Sequence, residues 1–161
     1  MKRTLLPTRG TGTFPAVLGL FLVGLALLPG PSAARTLTYD TASVEVRTME
    51  DTPLGRLTVR IANTPVKRYM GLRHVDELDT DAGMFFTYPS SAPRNFTMED
   101  MKIPLDILYL DGSKRILSIH SVRPGVSSIP SPEPAGYVLE VNYGWSRSHD
   151  VQHGDQIHIK K

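Results

Sequence analysis

Polar and apolar residues alternate strictly over Arg56-Leu57-Thr58-Val59-Arg60-Ile61-Ala62. That is the period of a half-buried strand, with Leu57, Val59 and Ile61 facing the core. Leu105 to Leu110 reads differently, as a buried strand whose apolar run is broken only by Asp106. Asp111-Gly112-Ser113-Lys114 separates it from a second run, Arg115 to His120. Asp-Gly between two such runs predicts a hairpin. A loop centred on Gly112-Ser113 would place Asp106 opposite Ile119, with Leu117 and Ser121 as diagonal neighbours. Met84 to Tyr88, Phe96 to Met98, Gly136 to Val141 and the end of Val151 to Ile159 predict further strands, and Ser43 to Arg47 a short edge strand. Thr64 and Pro65 carry helix-start chemistry, and Val66, Tyr69, Met70 and Arg73 come after them at helical spacing towards an end near Gly71 to His74. Asn142 is expected to cap a helical turn through Tyr143 to Asp150, and Val122 to Pro134 to be a loop. The expected fold class is mostly β, a compact small β-barrel-like single domain with two short helices, because closure removes the exposed edges of many short strands.

The start of the chain has another pattern. Lys2, Arg3 and Arg9 precede an uncharged apolar run from Ala16 to Leu28, then Pro29-Gly30-Pro31 and the small residues Ser32-Ala33-Ala34. This order predicts a cleaved signal peptide over residues 1–34, the apolar run being shorter than the roughly 20 residues needed to span a bilayer core. Residues 35–55 then form an N-terminal extension and residues 56–161 the β-rich domain. The leader would carry three of the 18 Lys and Arg and none of the 16 Asp and Glu, so the mature chain is close to neutral. Balanced charge gives no electrostatic reason to expect nucleic acid as a partner. The absence of cysteine excludes disulfides, a thiol nucleophile, thiolate metal sites and a lipid-bearing cysteine. The expected location is periplasmic or secreted, with no stable membrane anchor after cleavage.

Several short motifs occur in a recognisable order: Tyr69-Met70-Gly71-Leu72, Gly83-Met84-Phe85-Phe86, Phe96-Thr97-Met98, Ile103-Pro104-Leu105-Asp106-Ile107, Tyr137-Val138-Leu139-Glu140 and His153-Gly154-Asp155. Over roughly Arg56 to Ile159 the chain resembles the uncharacterised bacterial and archaeal family named domain of unknown function 192. The resemblance implies one small β-rich domain and no particular activity. The chain departs from the family pattern at Phe96-Thr97-Met98-Glu99-Asp100-Met101, where the family usually reads Phe-Trp-Met-Lys-Asn-Thr. It departs again at Val75, in place of a common arginine, and at Ser127 to Pro130, which lacks a cysteine often present.

Asp106 is the first candidate site residue, because a buried carboxylate must be paired, hydrogen-bonded or wet. Glu99, Asp100 and Asp106, joined by Glu140, could form an acidic patch for a hard cation; a solvated loop with a locally satisfied Asp106 is the simpler reading, and no metal or cofactor is predicted. His149, His153 and His158 lack zinc-site spacing. Ser118, Ser121, Ser127 and Ser128 near His120 lack the Gly-x-Ser-x-Gly elbow of a hydrolase nucleophile. Phe85, Phe86, Tyr88, Phe96, Met98 and Trp145 could line an apolar groove or simply fill the core. The candidate ligand-binding set is therefore Arg94, Asn95, Met98, Glu99, Asp100, Asp106 and Glu140. The expected function is a non-catalytic exported binding module for a small molecule, glycan or cell-envelope protein. The alternatives are an envelope-acting hydrolase using Asp106, Glu140 and His120 as acid–base groups, and a structural partner domain with an exposed apolar patch.

Overall fold

The computed structural model describes residues 37–160; the leader expected over residues 1–34 lies outside them. Nine strands and two short helices occur in the order β1 (Thr41–Arg47), β2 (Pro53–Ala62), α1 (Pro65–Met70), β3 (Ala82–Ala92), β4 (Asn95–Phe96), β5 (Leu105–Leu110), β6 (Ile116–Val122), β7 (Ile129–Pro130), β8 (Ala135–Asn142), α2 (Trp145–Ser148) and β9 (Gln156–Lys160). Seven strands form one sheet in the order β6-β5-β8-β3-β2-β1-β9, and β4 and β7 pair as a separate ribbon. The large sheet curls until its two outermost strands meet at one end. There Arg115 bridges Gln156, and backbone bonds join Ile116 to Asp155 and Gly154. The result is a half-barrel, mostly β as the alternation predicts.

Three details of the strand plan differ from expectation, the first being that Val122 to Pro134, expected as a loop, contains β7, held there by pairing with the distant β4. Ser43 to Arg47 belongs to a strand inside the sheet, paired with both β2 and β9. Val44 and Val46 are fully buried, and five residues of alternation cannot distinguish an edge strand from an inner one. The β5–β6 hairpin places Asp106 opposite Ser121, not Ile119. Lys114 adopts a left-handed conformation at φ 67, and the Asp111 carboxylate accepts from the Ser113 and Arg115 amides, so the turn is one residue longer than a two-residue loop. The ladder shifts again where Tyr109 pairs with Ser118 and Leu110 with Ile116. This bulge leaves Leu117 unpaired.

Both faces of the sheet are packed. The inner face gathers Val44, Val46, Leu57, Val59, Phe85, Leu108, Leu139, Val141 and Ile157. The outer face of β3, β8 and β5 buries Met84, Phe86, Leu105, Ile107, Tyr109 and Val138 beneath Leu72, Met98 and Ile129. Every residue of β5 is therefore buried, which is why its sequence lacks alternation.

The outer layer is placed by the crossover between β2 and β3, the sheet's parallel pair, since parallel neighbours need a connection across one face. Thr64 caps α1 by accepting from the Lys67 amide, Pro65 opens it and Gly71 ends it at φ 50. Gly83 is required for a different reason: a Cβ there would lie 2.6 Å from the Glu140 carbonyl oxygen. α2 has Gly144 at its N-cap position with no side-chain cap of its own. Asn142 does not cap it, because its amide donates instead to the carbonyls of Leu78, Asp79 and Thr80.

Candidate functional site

Strand alternation sorts the sequence candidates to two sides of the sheet. Asp106 pairs with Val141 and Ile107 with Glu140 across β5 and β8, so the two carboxyls project from opposite faces. On the inner side Asp106 is fully buried and accepts three hydrogen bonds: from Ser121 Oγ at 2.6 Å, the Gly144 amide at 3.0 Å and the Ser146 amide at 2.9 Å. The two amides open α2, so Asp106 caps that helix from another strand. Its local role accounts for all of its surroundings.

On the outer side, α1, the turn after it and β4 border a cavity of about 150 Å³ that opens to the surface. Arg68, Arg73, Phe86, Tyr88, Phe96 and Glu140 supply its chemistry, with Gly71, Asn95, Thr97 and Met101 also lining it. That volume is below the roughly 300–1,000 Å³ of drug-sized sites. Glu140 is 4% exposed, and its Oε2 has no hydrogen-bond partner among the described residues. Burial pushes its carboxyl up to about 8, against a smaller opposing pull from the positive charge of Arg73. At neutral pH burial thus favours the protonated, uncharged form of the group. An orphaned, perturbed carboxyl lining a cavity marks a candidate site.

The arginines are held by their surroundings. Arg68 donates to the Thr87 carbonyl at 2.9 Å and lies 4.9 Å over the Tyr88 ring. Arg73 donates to the Tyr69 carbonyl, and its Nε stands 3.7 Å from Asp100. Tyr88 is pushed up by its own burial, and the charges of Arg94 and Arg68 oppose the shift.

Of the sequence candidates, Asn95 and Glu140 line this cavity. Met98 is fully buried in the outer core. Arg94 lies beside the site, 3.7 Å from the Tyr88 ring and bonded to the Ala135 carbonyl at 3.1 Å. Glu99 and Asp100 are exposed. His120 shares the outer face with Glu140, since both pair with Ile107, but two strand spacings, roughly 10 Å, lie between their backbones. It packs edge-on against Tyr109, and burial lowers its pKa. The trio Asp106, Glu140 and His120 is thus not assembled. Among the described residues, no three His, Asp or Glu side chains converge as a metal site would need. Arg68 and Arg73 are absent from the sequence candidates; the Tyr69-Met70-Gly71-Leu72 motif between them is the available signal.

The fold and cavity define a small half-barrel domain with a covered outer face and a buried acid beneath that cover. The chain belongs to the family domain of unknown function 192, described as an uncharacterized ACR, whose model matches residues 46–159. It is 31% identical over 101 residues to a UPF0127 protein of Thermococcus gammatolerans, an alignment covering 62% of this chain and 64% of that protein. The chain thus spans a little under two thirds of that relative's length. Among solved structures it is similar to a proposed transcription regulator from Sinorhizobium meliloti 1021, with a TM-score of 0.73 and 30% identity, covering 77% of this chain and 97% of the other. A protein of unknown function from Novosphingobium aromaticivorans matches with a TM-score of 0.65 and 27% identity, covering 72% and 83% of the two chains.

Proposed function

We propose that this chain is an exported binding module whose outer-face cavity takes a small molecule, or one small group of a glycan or envelope protein, without transforming it. The observation that carries the reading is Glu140: a buried carboxyl with an unpartnered oxygen, lining a cavity that also contains two arginines and four aromatic rings. An unmade hydrogen bond in a buried place costs roughly 1–3 kcal/mol, a cost that a ligand group would offset. The order of charges and apolar residues over residues 1–34 supports export. The placement of Asp106 on the opposite face from Glu140 and His120 counts against the acid–base alternative, since such groups must reach one substrate proton directly or through one water.

A fragment screen by protein-observed NMR tests the binding reading. Hits should move the amide signals of Gly71, Thr97 and Glu140 together. A screen whose hits map to other faces, or that yields none, counts against it. Cell fractionation with mass determination of the N-terminus tests export, and recovery of the uncleaved chain in the cytoplasm would contradict it.

A further inference from the structure

We infer that the outer-face cavity is a site for a small organic anion, a carboxylate above all, held by the guanidinium groups of Arg68 and Arg73 and by a hydrogen bond from the Glu140 carboxyl. The inference rests on the cavity being a ligand site and adds the chemical class of the ligand.

Charge decides the class. Arg68 and Arg73 line the cavity, and Glu140 is the one acid that does so. With Glu140 protonated the lining carries two positive charges, and with Glu140 ionised it still carries one in excess. A cation would be repelled in both states. A neutral ligand would leave the guanidiniums unanswered. Each guanidinium has five N–H donors, of which Arg68 gives one to Thr87 and Arg73 one to Tyr69. The salt-bridge partner of Arg73, Asp100, is 3.7 Å away and three-quarters exposed, so water screens it.

Glu140 fits the same class from the other side. Burial keeps its proton on at neutral pH, and a protonated carboxyl can donate to an anion. Other titratable groups near it leave this balance in place. From β3 Tyr88, and from β5 Tyr109, are close enough to be influenced by its charge, and burial raises both phenols, so neither adds negative charge. Tyr109 already donates its hydroxyl proton to Ile129. α1 and the turn after it contribute Arg68 and Arg73. The rings of Phe86, Tyr88 and Phe96 offer a wall for a short apolar or aromatic tail. Because the bound state needs the acid form of Glu140, affinity should fall as pH rises through the range in which that proton is lost.

Three probes of one shape and different charge test this on the purified protein: benzoate, benzamide and benzylamine, measured by calorimetry and NMR. Benzoate is expected to shift Gly71, Thr97 and Glu140, with affinity falling about tenfold per pH unit above about 8. Arg68→Gln and Arg73→Gln should each weaken it by about tenfold or more. Glu140→Gln, which keeps a neutral donor, should still bind and lose the pH dependence. If Glu140→Gln does not fold, the two arginine variants and the pH series on the unaltered protein carry the test. Benzamide or benzylamine binding in the cavity in preference to benzoate would overturn the anion assignment and leave the cavity a ligand site. No binding of any probe would overturn the assignment and weaken the binding-module reading with it.

Discussion

Asp106 and Glu140 stand on paired strands, one register step apart, and point to opposite faces of the sheet. The first accepts three hydrogen bonds and fixes the start of α2; the second has an oxygen with no partner and lines a cavity. Two carboxyls of similar burial therefore have opposite physical characters, which separate experiments can read.

Asp106→Asn should destabilise the fold by about 2–4 kcal/mol, because the Asn amide would present a donor where an amide of α2 also donates, and bonds to a charged acceptor are among the stronger ones. Chemical denaturation measures the loss. Ligand binding in the outer cavity by the folded fraction should be unchanged, and a variant of wild-type stability would contradict the capping role.

Glu140 predicts a pH dependence of the opposite sense to that of an ion-paired acid. The unfolded chain releases this proton near 4.5 and the folded chain near 8. Between those values the folded state holds a proton that the unfolded state has lost, so stability falls as pH rises through the window and levels off above it. The effect is on the order of a few kcal/mol over the whole window. Thermal melts of the wild type and Glu140→Gln from pH 4.5 to 9 should differ in slope, the variant being the flatter. Parallel slopes would show that Glu140 is ionised in the fold.

Gly83→Ala should cost about 1–3 kcal/mol or more, the range for overpacking, because the added carbon would sit 2.6 Å from the Glu140 carbonyl and force β3 and β8 apart. Hydrogen exchange should show the β3–β8 ladder opening first, and a melting temperature equal to wild type would refute the close approach.

Tyr109→Phe removes the hydroxyl that ties the Ile129 carbonyl to β5, leaving that carbonyl only its ladder partner on β4. A loss of about 1–2 kcal/mol is expected, with faster exchange concentrated in the β4–β7 ribbon. A uniform change over the sheet would argue against that tether.

Local chemistry accounts for the features legible in the sequence alone. The alternation from Arg56 to Ala62, the Thr64-Pro65 helix start and the apolar runs flanking Asp111-Gly112 each describe neighbours a few residues apart. The register of Asp106 is hidden because a lysine, not a glycine, takes the left-handed turn position and a bulge then skips Leu117. Asn142 has a good capping side chain, but three distant carbonyls compete for it. For the site, Glu140 and Asn95 are identifiable from residue type. Arg68 and Arg73 are not, since nothing in α1 itself reveals that its crossover folds over β8, some 70 residues further along the chain.

The pairing of β1 with β9, with Val44 opposite Ile159, joins the first and last described strands. Contacts between such distant residues form only after a large loss of chain entropy, and topologies rich in them fold slowly. Until β9 docks, β1 lacks one of its two neighbours, with Val44 and Val46 uncovered on that side. The half-barrel is thus a fold that closes late, with β9 acting as a latch on β1.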